Sequence, residues 1–340
     1  MSNTTIVGGI LRARYRIVQL IGEGGSGAVY AAEDMRLGGR LSAIKEIRPD
    51  PYATPAQLAQ AQTQFRREAM ILARLDHPNL PKVYDFFVED GRSYLVMDYV
   101  DGPDLRQLVD QARARGEFLP EASVLDWLSQ LLDALDYLHN QSPPVIHRDV
   151  KPANIKLTPQ GRIKLVDFGL VKPLDPEDPR TITVVRGVGS LPYTPLEQYG
   201  GADHTLPRSD IYAVGATLYH LLTGRIPVTA QQRFLEPQSL VGPRSVNGAI
   251  SPTVEKAILR AMSMHPDQRP STVAELRTLL DPEGLDGDAA GQPSVWLRAI
   301  RDNFYLVLLV ALLLGLAIFA TARTTASPTV TPTPIATSAR

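Results

Sequence analysis

Residues 145–154 read V-I-H-R-D-V-K-P-A-N, and three side chains in this stretch suit one kind of chemistry. Taking a proton from an alcohol requires a carboxylate within hydrogen-bond reach, and Asp149 is the only carboxylate present. Transfer of a phosphoryl group also needs positive charge where the migrating group sits, because its transition state spreads negative charge over several oxygens. Lys151, two residues on, can supply that charge. The amide of Asn154 offers an oxygen suited to Mg2+, a hard cation bound through few protein groups plus phosphate. A polar surface turn is the plain alternative, and partner motifs elsewhere in the chain decide between the two.

Those partners are present. G-E-G-G-S-G at residues 22–27 has G-x-G-x-x-G spacing between two apolar runs, 15–21 and 28–32. Without a Cβ, glycines let backbone amides approach phosphate oxygens. A dinucleotide fold would open into a helix after such a loop, whereas Ala28, Val29 and Tyr30 read as strand, which disfavours it. Lys45 lies inside the strand-like run 41–47, where an A-I-K pattern suits a lysine that holds α- and β-phosphates. From residue 55 to 74 the pattern turns helical, with Phe65, Ala69 and Leu72 as its apolar stripe. Glu68 beside that stripe is expected to orient the Lys45 ammonium. Asp167 follows a short strand at 162–166, opens a D-F-G tripeptide and is a second candidate Mg2+ ligand.

Runs 83–88 and 93–100 flank an E-D-G-R hairpin turn, so five strands should form a small antiparallel sheet. Residues 1–14 read as a loose lead-in. After Gly102 and Pro103, Leu125, Leu128, Leu132, Leu135 and Leu138 recur at helical spacing and announce a second, helical lobe, with a hinge near 101–104. Residues 209–222 are apolar nearly all round, which predicts a buried helix stopped by Gly224, and Thr272 with Glu275 reads as a capping box for a last helix to residue 280. The segment 170–201 has no clear period and reads as a regulatory loop, with Thr181 and Thr183 expected to be autophosphorylated and Arg148 ready to receive the phosphate.

Composition narrows the field. The 340 residues carry 35 Lys and Arg against 36 Asp and Glu, so no basic field points to nucleic acid. Cysteine is absent, which removes disulfides, thiolate metal sites and cysteine nucleophiles. The start lacks an apolar signal region.

Residues 15–280 resemble the bacterial eukaryotic-like (Hanks-type) serine/threonine protein kinases. The resemblance implies an α+β, bilobal fold with the small lobe at 15–101 and the helical lobe at 102–281. It implies that ATP lies against Ile21, Gly22, Glu23, Gly24, Gly25, Ser26, Gly27, Ala28, Val29, Ala43, Lys45, Met97, Asp98 and Val100. Met97 would be the gatekeeper, and Asp98 and Val100 would offer backbone groups to the adenine. Mg2+, or Mn2+ in its place, would sit on Asn154 and Asp167, and Lys45 would pair with Glu68. Asp149 matches the catalytic aspartate, and Lys151 favours Ser/Thr acceptors. Asp210 matches the aspartate that braces the catalytic loop, and Arg269 matches the arginine that pairs with Glu197. Two departures stand out: the family's A-P-E reads P-L-E at 195–197, and its G-T pair reads Gly189-Ser190.

A catalytically weak pseudokinase or scaffold is one rival, but Lys45, Asp149 and Asp167 are all present. A small-molecule kinase, the other, would lack the long loop and the Glu197–Arg269 pair. A receptor whose ligand-binding part carries the function is disfavoured by the short tail.

No charge occurs from 304 to 322, and a helix of that length spans about 28 Å, enough to cross a hydrocarbon core. The expectation is a single-pass cell-membrane protein with a cytoplasmic kinase, a tether at 282–303 and a Thr/Ser/Pro-rich tail at 323–340 outside. Protein substrates and a second copy for trans-autophosphorylation are the other expected partners.

Overall fold

The computed structural model describes residues 7–24, 27–167, 172–173, 188–199 and 205–280. In chain order the small lobe holds β1 (Ile10–Leu11), β2 (Tyr15–Gly24), β3 (Gly27–Asp34), β4 (Arg40–Ile47), α1 (Pro55–Leu72), β5 (Val83–Glu89) and β6 (Arg92–Asp98). The strands form one antiparallel sheet in the order β1-β2-β3-β4-β6-β5. Their period of two divides the apolar residues between two faces. On one face Ala43, Leu95 and Met97 meet Phe65, Ala69 and Leu72 of α1. On the other, Ile44, Tyr94 and Val96 meet Tyr15, Ile17, Tyr30 and Phe87. The expected hairpin is present, with Asp90 and Gly91 at positive φ as a tight two-residue turn requires.

One strand is an addition to the expected five. Residues 10 and 11, placed in the lead-in, pair with Arg16 and Tyr15, and Leu11 is buried beside Tyr15 and Ile17. Two residues are too short to display a period, so only the burial reveals them.

The helical lobe comprises α2 (Leu105–Ala114), α3 (Glu121–His139), β7 (Val145–Ile146), β8 (Ile155–Leu157), β9 (Ile163–Leu165), β10 (Lys172–Pro173), α4 (Pro207–Thr223), α5 (Ala230–Leu235), α6 (Pro243–Val246), α7 (Pro252–Ala261) and α8 (Val273–Leu280). α4 is its axis. Every residue of it from Ser209 to Thr223 is buried, and Gly224 ends it in the left-handed region. A Cβ on Gly215 would come within 2.8 Å of Ala261 Cβ, so glycine is what lets α7 pack this closely. The segment between the lobes is tied to the second one. Gly102, at φ +112°, lies so close to the Leu157 carbonyl that a Cβ would meet it at 2.0 Å, and the Pro103 carbonyl accepts from Leu157 N at 2.8 Å. At the start of α8 the capping box is half formed. Thr272 Oγ1 accepts from Glu275 N, but the Glu275 carboxylate reaches back to Ser271 N and Oγ rather than to Thr272, because Ser271 offers it two donors.

The chain divides into two compact units, residues 1–281 and 282–340. The second lies outside the described residues, and with it the expected span at 304–322; Gly25, Ser26, Thr181 and Thr183 lie outside them too. No helix among the described residues is long and apolar enough to cross a membrane.

Candidate active site

The loop that carries Asp149 follows β7 and is held from below by α4. Asp210, fully buried in the first turn of α4, accepts from His147 N at 2.9 Å and Arg148 N at 2.8 Å. His139 Nε2, at the end of α3, sits 2.9 Å from the same carboxylate. Burial alone would push this carboxyl up. The hydrogen bond and charge of His139, the charge of His147 and the His147 amide outweigh it and hold Asp210 below the usual carboxylate range. Burial pushes the His147 imidazole down, against the pull of the Asp210, Asp149 and Asp167 carboxylates around it. The two amide bonds also hold Arg148 at φ +69°, a backbone region that non-glycine residues enter at a cost of roughly 1–3 kcal/mol. Such strain persists where the surroundings over-determine it.

Above this brace the expected base is fixed by two donors on one oxygen. Asp149 Oδ2 accepts from Lys151 Nζ at 2.7 Å and from Asn154 Nδ2 at 2.9 Å, and Asn154 Nδ2 also donates to the Asp149 carbonyl at 2.8 Å. Asn154 is buried in the single turn of 3-10 helix at Pro152–Asn154. Lys151 Nζ also donates to Ser190 Oγ at 2.6 Å, which joins the catalytic loop to the segment after the regulatory loop. The replacement of threonine by Ser190 therefore keeps the hydroxyl contact.

Asp167 follows β9 and is itself at φ +70°. Its position is set by the two residues before it: Val166 N donates to Asn154 O and Leu165 N to Asn79 O, both at 2.8 Å. Its carboxylate forms an ion pair with Lys45 Nζ. Burial would raise this carboxyl, but the charge and hydrogen bond of Lys45, then the charges of Lys151 and His147, bring it below its ordinary value. The expected Lys45–Glu68 pair is thus replaced. The Lys45 ammonium takes Asp167 as its contact, and Glu68 Oε1 accepts from Gln64 Nε2 one turn back along α1 at 3.0 Å.

Lys45 shares a register with Val29 and Leu95, so β4 carries it directly beneath the glycine loop. Gly22 and Gly24 face open space where a Cβ would project, whereas a Cβ on Gly27 would strike the Glu46 carbonyl at 1.8 Å. The first two leave room for phosphate, and the third is required by the sheet. Ala28, Ala43, Met97 and Val100 are buried, Val29 is half-buried and Ile21 is exposed. Asp98 N donates to Lys82 O at 2.9 Å, so a contact from Asp98 to an adenine would have to use its carbonyl.

Arg269, with its side chain fully buried, grips Glu197 with both arms, at 2.6 and 3.1 Å, and stacks over Tyr212. The P-L-E departure leaves this pair intact. Two features went unread in the sequence. His139 completes the brace on Asp210 across a separation of 71 residues. The Tyr193 hydroxyl meets His220 Nδ1 at 2.7 Å and so anchors the loop behind Ser190 on α4.

This arrangement places a positioned carboxylate, a cation, two metal-type oxygen groups and an open glycine cradle in one cleft, the equipment of phosphoryl transfer. Comparison with known proteins agrees. The protein kinase domain model matches residues 15–278. The chain is 36% identical to the serine/threonine-protein kinase PrkC of Bacillus subtilis over 83% of its own length and 43% of that protein's. It is 32% identical to PknB of Mycobacterium tuberculosis over 78% of its length and 42% of that protein's. It therefore spans less than half of either relative. Among solved structures, the apo form of PpkA-294 superposes with a TM-score of 0.64 at 29% identity over 82% of this chain and all of that one. The Mycobacterium tuberculosis PknI kinase domain gives 0.61 at 28% identity over 82% of this chain and 99% of the other. The chain belongs to the protein kinase domain family, with the bilobal fold of a curled antiparallel small lobe and a helical large lobe.

Proposed function

We propose that this chain transfers the γ-phosphate of ATP to serine and threonine hydroxyls of proteins. The observation that carries the reading is the Asp149 carboxylate, whose Oδ2 is occupied by Lys151 and Asn154 while Oδ1 is left to receive the proton of an acceptor hydroxyl. As the hydroxyl oxygen bonds to the γ-phosphorus, its proton passes to Asp149 and ADP leaves. Lys151, already against Asp149, places positive charge beside the entering oxygen. The names of the relatives, serine/threonine-protein kinases, support the acceptor class.

The donor set fits a hard divalent cation. With Nδ2 spent on Asp149, the Asn154 amide keeps its oxygen, and Asp167 adds a carboxylate. Among the described residues no cluster of three or more His, Cys, Asp or Glu could hold a metal unaided, in keeping with an ion bound jointly by two oxygen ligands and nucleotide phosphates. Mg2+, or Mn2+, would there neutralise charge on the phosphate oxygens. Lys45 would steady the α- and β-phosphates from β4, and Glu68 stands on the adjoining helix.

The reading extends to Thr181 and Thr183 as sites of autophosphorylation by a second copy, with Arg148 receiving the phosphate. It also places residues 304–322 across the cell membrane, with the kinase on the ATP-containing side. Radiolabelled ATP with the purified chain and myelin basic protein, followed by site mapping, tests the activity. The parent should label Ser and Thr, and Asp149→Asn should label nothing while keeping its fold; equal labelling by both would overturn the assignment of the base. Fractionation of intact cells should leave the kinase in the membrane pellet and shielded from external protease.

A further inference from the structure

The glycine loop is poorly secured by burial. From Val18 to Gly24 every residue of β2 is exposed, and the pairing with β3 slips twice, between Ile17 and Gln19 and between Leu20 and Gly22. What holds the loop end must therefore be polar. Glu23, between the two glycines that face open space, lies with Oε1 2.8 Å from Arg48 NH2. Arg48 follows directly on β4 and is three-quarters buried. Its Nε is 3.4 Å from Glu46 Oε1. Glu46 is wholly buried, accepting from Arg92 NH1 at 2.6 Å and from the Tyr30 hydroxyl at 2.8 Å. An ionic chain Arg92–Glu46–Arg48–Glu23 thus runs from inside the sheet to the loop. The other end of the loop, Gly27, is pressed against the carbonyl of the same Glu46.

We propose that Glu23 and Arg48 form a latch that positions the glycine loop over the phosphates of ATP, and that Arg48 also neutralises a loop carboxylate that would otherwise repel them. Both are positioning residues, and the inference rests on the reading of this cleft as an ATP site. The anchor of the latch is β4, the strand that carries Lys45, so the lysine and the loop above it move as one body. Charge gives the idea its distinctive consequence. Removing Glu23 loses only the latch, whereas removing Arg48 loses the latch and leaves an unpaired carboxylate beside a triphosphate.

The test uses the full 340-residue chain in detergent, with KM for ATP and kcat measured on myelin basic protein, binding of a fluorescent ATP analogue, and thermal unfolding. Glu23→Ala should raise KM for ATP about threefold, the scale of a partly exposed ion pair, with kcat and the unfolding midpoint unchanged. Arg48→Gln should raise it further, to about tenfold, through the added like-charge repulsion. The double variant should return to the Glu23→Ala value, since no loop carboxylate is left to repel and Glu46 keeps Arg92 and the Tyr30 hydroxyl. A purely structural role for Arg48 would lower the unfolding midpoint and gain nothing from the second substitution. Should Arg48→Gln not fold, Glu23→Ala at its exposed position still decides: an unchanged KM in a parent that binds the analogue overturns the latch alone. Failure of the parent to bind the analogue overturns the ATP reading and the latch with it.

Discussion

The brace beneath the catalytic loop can be weighed by changing one atom. Asp210→Asn preserves size and removes charge. With its amide oxygen in the place of Oδ2, asparagine would still accept from His147 N and lie near His139 Nε2, but its NH2 group would face Arg148 N, now 2.8 Å from Oδ1. One buried donor without a partner costs about 1–3 kcal/mol, and the two surviving bonds lose their charge assistance, so the total comes to about 3 kcal/mol. For a domain of this size that is a fall of about 6–12 °C in unfolding midpoint. Activity should fall further than stability, by at least about tenfold at temperatures where the variant is folded, because the strained Arg148 next to the base loses its hold and displacement of a reacting group by about 1 Å can cost a hundredfold. Acid provides the second handle. The folded state holds the Asp210 carboxyl below its ordinary value, so its stabilisation is fully present above the unfolded-state pKa, close to 4, and is lost as pH falls through the folded value. The gap between parent and variant should therefore be constant from pH 7 to about 5 and shrink below about pH 4. Calorimetry or circular dichroism across that range checks it. A variant as stable as the parent, or a gap that does not narrow in acid, would refute the reasoning.

Much of the site was legible because phosphoryl transfer requires its groups in short strings. Asp149, Lys151 and Asn154 sit within six residues, and the loop they occupy brings them together almost by itself. The glycine loop, the hairpin at 89–92 and the buried helix α4 were legible for the same local reason: a turn or a period declares itself within one element. What escaped depends on distances that only folding sets. The sequence reading paired Lys45 with Glu68 and kept Asp167 for the metal, and the pairing of Lys45 with Asp167, across 122 residues, had no local sign. His139 at the end of α3 looks like an ordinary basic residue at a helix C-terminus; only its approach to α4 makes it a partner of Asp210. Arg48 reads as a solvated residue after a strand until Glu23 and Glu46 are seen on either side of it. The pinning of Gly102 against Leu157 has a local sign, the glycine itself, but no local indication of what it touches.

Two more substitutions probe the same framework. Gly27→Ala should abolish ATP binding or folding, since its Cβ would lie 1.8 Å from the Glu46 carbonyl, whereas Gly24→Ala, into open space, should leave the unfolding midpoint unchanged; equal midpoints would mean that the contact at Gly27 does not constrain the loop. Arg269→Lys tests whether the P-L-E segment depends on a forked cation. Arg269 bonds both oxygens of Glu197 and the carbonyls of Ser263, Met264 and Arg208, and its plane lies over Tyr212. A single ammonium keeps the charge but cannot reach both sides, so buried acceptors are left short and the loss should be about 2–4 kcal/mol, or about 5–15 °C in midpoint. Replacing both partners, as in Arg269→Met with Glu197→Leu, should cost less than Arg269→Met alone, because a lone buried carboxylate is worse than none. If the double variant were the less stable of the two, the pair would be stabilising through something other than mutual charge compensation, and this account of it would fail.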